Sequence, residues 1–367
     1  LALDALLGAD RSLRAAVRCQ VIVPGGKAPA LTLSDVAIHV DPAPTRLLKA
    51  LPWEQLILPW RARRGTLVSL CNLGPMFSGD ALTMVHDAQV HSSPGSYSRA
   101  FRLWYRLVQP RLGRRNRAIL TVSHHSRQQL ALYGVCTQER IRVVHNGCNH
   151  VTRLRPDSTI QSDPALQAQP YVLALANTQD HKNIRILLQA FRLPALSGVT
   201  LALFGGAQKA DFERSGHEVP ANVRFLGRIS DEALAALLPR AVALAFPSLT
   251  EGFGLPPLEA MALGCPVVAA PCGALPEVCG DAALWADPHD AGQWADRLAR
   301  LRDDPMLASS MRAGGVAHAA AFTWQRAARQ VLESALGSPL AQFAAEDAAA
   351  ARLLHASSWS PPNPSLN

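Results

Sequence analysis

Residues 246–264 read FPSLTEGFGLPPLEAMALG, and this stretch decides the fold. The apolar run Ala241–Pro247 leads into it and has the character of a buried strand. The run passes into a loop holding Gly252 and Gly254. Pro256 and Pro257 follow; proline suits the first positions of a helix, where its missing N–H is not needed. Leu258–Leu263 continue that helix, Gly264 can end it, and Pro266 lies just beyond. The expected geometry is strand, glycine loop, helix N-terminus. Free backbone N–H groups and the positive end of the helix dipole converge there, so the site suits an anion.

Working outward, short apolar runs alternate with helix-patterned stretches. Ten runs read as strands: Cys19–Pro24, Gly65–Leu70, Leu82–His86, Ala118–Ser123, Ile141–His145, Tyr171–Ala176, Thr200–Phe204, Val223–Gly227, Ala241–Pro247 and Pro266–Ala270. Most are continuous rather than alternating, as in strands buried on both faces of a parallel sheet. Ser123 and Gly134 bracket one helix, Ser230 opens another, and residues 184, 187, 188 and 191 share the apolar face of a third. Strand and helix alternating through the chain predict an α/β architecture. The 367 residues suit two domains, at roughly 100–200 residues each. Residues 1–150 form the expected N-terminal domain, 151–169 a linker rich in Pro, Ser and Asp, and 170–335 a C-terminal domain. A C-terminal helix over 336–355 is expected to return to the N-terminal domain, and 356–367 to be a disordered tail.

Composition sets further bounds. Hydrophobic residues make up 49% and charged residues 17%, which excludes a wholly disordered chain. Lys and Arg number 36 against 28 Asp and Glu, an excess of +8 that suggests an anionic partner. No apolar run approaches the ~18 residues a spanning helix needs. There is no signal-peptide pattern, and the missing initiator Met leads to the expectation that the true N-terminus has been lost. The seven cysteines are scattered and form no CxxC, which points away from a disulfide framework or zinc site and towards a reducing cytoplasm.

Two carboxylates frame the glycine loop, Glu251 before it and Glu259 on the expected first helical turn. A carboxylate accepts paired hydrogen bonds from neighbouring hydroxyls. One near a ribose and one near a hexose would suit a nucleotide-sugar whose diphosphate rests between them. A bare pair of this kind also reads as a helix-start charge and a solvated loop residue; the full string tips the balance. EGFGLPPLEAMALGCPVVAAPCGALPEV resembles the signature of the retaining GT-B glycosyltransferases of family four, which include bacterial mannosyl- and glucosyltransferases. AILTVSHHSRQQL, RIRVVHNG and YVLALANTQDHKNIRILLQAF follow the order and spacing of that family, so the resemblance covers most of the chain.

The resemblance implies two Rossmann-like domains with parallel sheets facing a central cleft. It implies that Glu259 holds the donor ribose, and that Glu251 and the backbone of Gly252, Phe253, Gly254 and Leu255 hold the transferred sugar and diphosphate. Lys182 matches the lysine that neutralises the diphosphate, followed by Asn183, with His181 supplying part of the positive character. Many members carry an Arg five or six residues before that lysine; Ala176 and Asn177 stand there in this chain. The resemblance also places His86, followed by Asp87, near the transferred sugar; a strand-end His satisfied by Asp87 is the equal alternative. No metal and no cofactor is implied, the nucleotide-sugar being a substrate. The family's opening strand and Gly-rich loop have no counterpart, because residues 1–13 already read as helix and Cys19–Pro24 resembles the second strand.

From Ala88 to Gln138 there is no acidic residue, yet eight arginines: 99, 102, 106, 111, 114, 115, 117 and 127. Arg99, Arg102 and Arg106 share one helical face, and Phe101, Trp104, Tyr105 and Val108 another. With Arg114 and Arg115 they suggest peripheral contact with an anionic membrane on the cytoplasmic face; aromatic packing with solvated arginines is the competing reading. Nucleic acid is not expected, since no recognition motif accompanies the charge. The expected function is a hexosyltransferase moving a hexose, first of all mannose from GDP-mannose, to a glycan or polyprenol-linked acceptor with retention. A non-catalytic nucleotide-sugar-binding scaffold and a nucleotide-sugar epimerase of the same fold stay open.

Overall fold

A computed structural model describes residues 1–9, 11–24, 32–41, 50–93, 95, 97–157, 159–160, 164–337 and 340. The chain divides into two compact units. The first comprises Leu1–Gly147 with the segment from Thr323, and the second Cys148–Phe322.

In the first unit, β1 (Gln20–Val23) and β2 (Ala37–Val40) form a parallel pair. A separate four-stranded parallel sheet runs in order β3 (Leu67–Ser69), β4 (Ala81–Met84), β5 (Ala118–Thr121), β6 (Ile141–Val143). Every residue of β4 and β5 is buried, which explains their unbroken apolar character. Val108 and Leu112 from the helix Arg99–Arg115 and Leu130 from His124–Leu132 pack with Val85 and Ile119. The latter helix opens on Ser123, whose side chain accepts from the Ser126 N–H at 2.9 Å.

The second unit is one six-stranded parallel sheet. Its strands are β7 (Tyr171–Leu175), β8 (Thr200–Phe204), β9 (Val223–Gly227), β10 (Ala243–Phe246), β11 (Val267–Ala269) and β12 (Ala283–Trp285). Across the sheet the order is β12-β11-β10-β7-β8-β9. Its core joins Leu201 and Val268 of the sheet to Leu187, Trp294 and Leu298 of the covering helices. The chain leaves β7 towards β8, and leaves β10 in the opposite direction towards β11. The order therefore reverses between β7 and β10. In open parallel sheets the loops at the carboxyl ends of such neighbours diverge and leave a crevice for ligands.

All ten apolar runs become strands. Two further strands escaped: β2, AIHV, has a His within it and no buried residue, and β12, ALW, follows directly on Gly-Asp-Ala, so neither shows a continuous apolar run. The expected linker at 151–169 holds structure: Val151–Arg153 forms a 3₁₀ turn around buried Val151, and Pro164–Ala168 a short helix anchored by Leu166. The helix expected over 336–355 and the tail expected over 356–367 fall on residues of which 338, 339 and 341–367 lie outside the described ones; the helix Trp324–Leu336, just before them, belongs to the first unit. Its Leu332 packs with Leu6, Leu7, Leu13 and Val36, an apolar patch of the first unit that this face covers.

Candidate functional site

The loop after β10 bends into a helix that begins at Leu255, directly after Gly254, and runs to Ala262. The start is earlier than the sequence suggested, so Glu259 lies in the second turn rather than the first. Gly254 sits at φ +105°, and a Cβ there would lie 2.6 Å from Leu275 Cδ2. Both constraints select glycine. Phe253 is buried against Phe322, with ring centroids 6.2 Å apart. Gly252 and Leu255 are partly exposed.

The loop after β7 meets this one. Lys182 Nζ donates to Glu251 Oε1 at 2.7 Å, with side chains 18% and 12% exposed. The pair thus bridges the two loops that flank the reversal point. A crevice beside it is lined by Leu175, Lys182, Ala245, Phe246, Pro247 and Ser248. Asn183 adopts the left-handed conformation at φ +54°, which asparagine tolerates better than other side chains. Its amide donates to the carbonyls of Pro247 at 3.2 Å and Pro288 at 2.8 Å. Asn183 therefore stitches together the loops after β7, β10 and β12. His181 is buried, and its carbonyl accepts the Leu249 N–H at 2.7 Å. The structure thus gives both residues a structural duty.

Glu259 is 19% exposed and pairs with His150, Nε2 to Oε1 at 3.1 Å. Burial pushes its carboxyl up, His150 opposes that, and the charge of Asp231 adds to it. Glu251 is held from behind. Ala274 N–H donates to its carbonyl at 3.0 Å, and Gly273 at φ +62° lies so close that a Cβ would come within 2.5 Å of Glu251 N.

In the first unit, His86 follows β4. Its backbone N–H donates to Asn72 Oδ1 at 2.8 Å, and its Nε2 lies 2.8 Å from the Leu70 carbonyl oxygen. A carbonyl only accepts, so this contact places the ring proton on Nε2. Asn72 is itself left-handed at φ +59°. Asp87 Oδ1 accepts the Gln89 N–H at 2.8 Å. Burial, and then the Asp87 charge, push the Tyr97 and Tyr105 hydroxyls up.

The basic helix Arg99–Arg115 departs from the expected division of faces. Tyr105 and Val108 are buried, Trp104 is half-buried, and Phe101 is exposed and stacks on Tyr97 and Tyr105. Arg102 is half-buried. The solvent stripe carries Arg99, Leu103, Arg106 and Leu107, with Leu103 69% and Leu107 43% exposed. Arg114 is exposed, and Arg115 lies over the Phe77 ring at 5.4 Å.

Asn72, His150 and Gly273 were not singled out from the sequence. The two turn-formers sit in CNLGP and PCGAL, recognisable turn punctuation, whereas His150 has no local signal.

The family described as "Glycosyl transferases group 1" matches residues 157–316. O-antigen chain mannosyltransferase B of Escherichia coli is 34% identical over 230 residues, which is 59% of this chain and 59% of that protein. The chain thus matches about three fifths of the length of that curated relative. Among solved structures, sucrose-phosphate synthase from Thermosynechococcus elongatus superposes with TM-score 0.66 at 21% identity, covering 90% of each chain. Anabaena HepE in complex with UDP-glucose gives TM-score 0.61 at 18% identity, covering 82% of this chain and 85% of that one. At such identities the solved structures speak for the fold alone, and that fold is GT-B. Residues 157–316 thus match the group 1 glycosyltransferase family, and the chain has a GT-B fold of parallel α/β sheets.

Proposed function

We propose that the chain is a retaining, metal-independent hexosyltransferase that moves a hexose from a nucleotide-sugar to a glycan or lipid-linked glycan. One observation carries the reading: Lys182 and Glu251 bridge the loops at the reversal point, beside a helix that Gly254 opens. In the proposed reaction negative charge grows on the departing nucleoside diphosphate. Lys182 has three N–H donors and can keep Glu251 while meeting a phosphate oxygen. The helix N-terminus adds backbone N–H groups at fixed positions. Losing one such preorganised donor costs about 2.7–4 kcal/mol of barrier. The bond from Lys182 reduces the nucleophilicity of Glu251, which favours a front-face route in which the leaving phosphate takes the acceptor proton. Glu259 is assigned the ribose hydroxyls, and His86, with Nδ1 as its acceptor, the transferred sugar.

GDP-mannose is the first donor to test, a choice supported by the mannosyltransferase relative; the neighbour bound to UDP-glucose keeps UDP-sugars in the panel. Donor hydrolysis should proceed in the presence of EDTA and fall about 10²–10³-fold in Lys182→Ala, as for loss of a single oxyanion donor. Unchanged hydrolysis in Lys182→Ala, or abolition by EDTA, would sink the respective claim. We place the reaction in the cytoplasm, a reading supported by seven cysteines that are all free thiols. No described helix is long and apolar enough to cross a membrane. Peripheral contact is assigned to the stripe of Arg99, Leu103, Arg106 and Leu107, with Arg114 and Arg115. Flotation should recover the protein with anionic vesicles and not with neutral ones; equal recovery would refute the assignment.

A further inference from the structure

We propose that His150 is a positioning residue for Glu259: it holds one carboxylate oxygen so that the other meets a ribose hydroxyl of the donor. The inference rests on the assignment of Glu259 to the ribose and adds a residue that nothing in the local sequence marks.

The geometry is contained within the second unit. His150 lies immediately before the turn Val151–Arg153, where buried Val151 anchors the backbone. Its Nε2 reaches Glu259 Oε1 at 3.1 Å. Glu259 projects from a well-supported helix but has a flexible side chain of its own, so a single bond at Oε1 removes much of its freedom. An ionised carboxylate has about four lone-pair positions on two oxygens. The bond to His150 uses one of them and leaves Oε2 able to accept.

The electrostatic surroundings give His150 its importance. Asp231, at the start of the helix Asp231–Leu237, and burial both disfavour the Glu259 anion. The nearby Cys148 thiol is pushed up to about 12, by burial first and by the Glu259 charge second, and stays protonated. His150 is the group here that favours the charged, hydrogen-bond-accepting form. A merely structural role is a poor account of the pair, because His150 is 41% exposed and buries little apolar surface.

The test uses calorimetric titration of the full chain with GDP and UDP, and with their 2′,3′-dideoxy analogues. In His150→Ala, affinity for the ribonucleotide should fall about five- to tenfold, while affinity for the dideoxy analogue stays within about twofold, since only ribose hydroxyls report on Glu259. His150→Gln, which keeps an N–H donor in reach, should restore most of the preference for ribose. Glu259→Gln is the control. If it too leaves the ribose preference intact, or if neither nucleotide binds, the ribose assignment fails and the inference falls with it. If Glu259→Gln loses the preference while His150→Ala keeps it, only the role of His150 is overturned. Equal losses for ribonucleotide and dideoxy analogue in His150→Ala would likewise overturn it.

Discussion

Gly273 shows how one residue sets the geometry of another. Its left-handed backbone packs on the main chain of Glu251, and a Cβ would meet backbone atoms at 2.5 and 2.7 Å. Backbone cannot rotate away as a side-chain tip can. Gly273→Ala should cost about 2–4 kcal/mol, combining conformational strain with displacement of the loop. Urea denaturation measures this directly, and a midpoint equal to wild type would contradict it. Gly254→Ala should be milder, because there the clash is with the tip of the Leu275 side chain.

Glu259 carries the opposite tension, function against stability. Its carboxyl is raised from the ordinary 4.5, mainly by burial. Between that value and its folded value the native state binds more protons than the unfolded one. Stability therefore falls as pH rises through this window, and the penalty persists above it. Glu259→Gln should raise the thermal midpoint relative to wild type at pH 7, with the gain vanishing near pH 4. The same variant should weaken nucleotide binding. A lower midpoint at neutral pH would show that the His150 pair outweighs desolvation.

At the scale of elements, the loops are held by a few polar stitches. Asn183 combines a left-handed backbone with two carbonyl contacts. Asn183→Gly keeps the first property and loses the second; Asn183→Ala loses both. Removing buried hydrogen bonds costs about 1–3 kcal/mol, and alanine adds about 1 kcal/mol of left-handed strain. The stability order wild type, Gly, Ala in chemical denaturation is the expected result, and an alanine variant more stable than the glycine one would contradict it. Asn72 is built on the same plan below His86, so the chain's two described left-handed asparagines each secure a loop that carries a candidate site residue.

For the whole molecule, the two units bury separate cores. Leu332→Ala removes a buried side chain from the first unit and should cost about 2–5 kcal/mol there. Gly273→Ala acts in the second. Scanning calorimetry on both variants should shift different parts of the unfolding profile, as multi-domain chains depart from a single two-state transition. Identical displacement of one sharp transition would show that the units unfold as one.

Periodicity and turn chemistry are local, so ten of the twelve strands among the described residues, the caps at Ser123 and Ser230, and the glycine loop before Glu259 were readable along the chain. The E-x7-E pair and the lysine before Asn183 were singled out through their resemblance to a family's motifs, each of which lies within one short stretch. The tertiary structure alone decided which groups meet. Lys182 and Glu251 are 69 positions apart and become neighbours only because β7 and β10 lie side by side at the reversal of strand order. His150 reaches Glu259, Gly273 supports Glu251, and Trp324–Leu336 returns to the first unit through contacts no local pattern encodes. Pairing of distant residues depends on sheet order and packing, and these are properties of the folded chain rather than of any window within it.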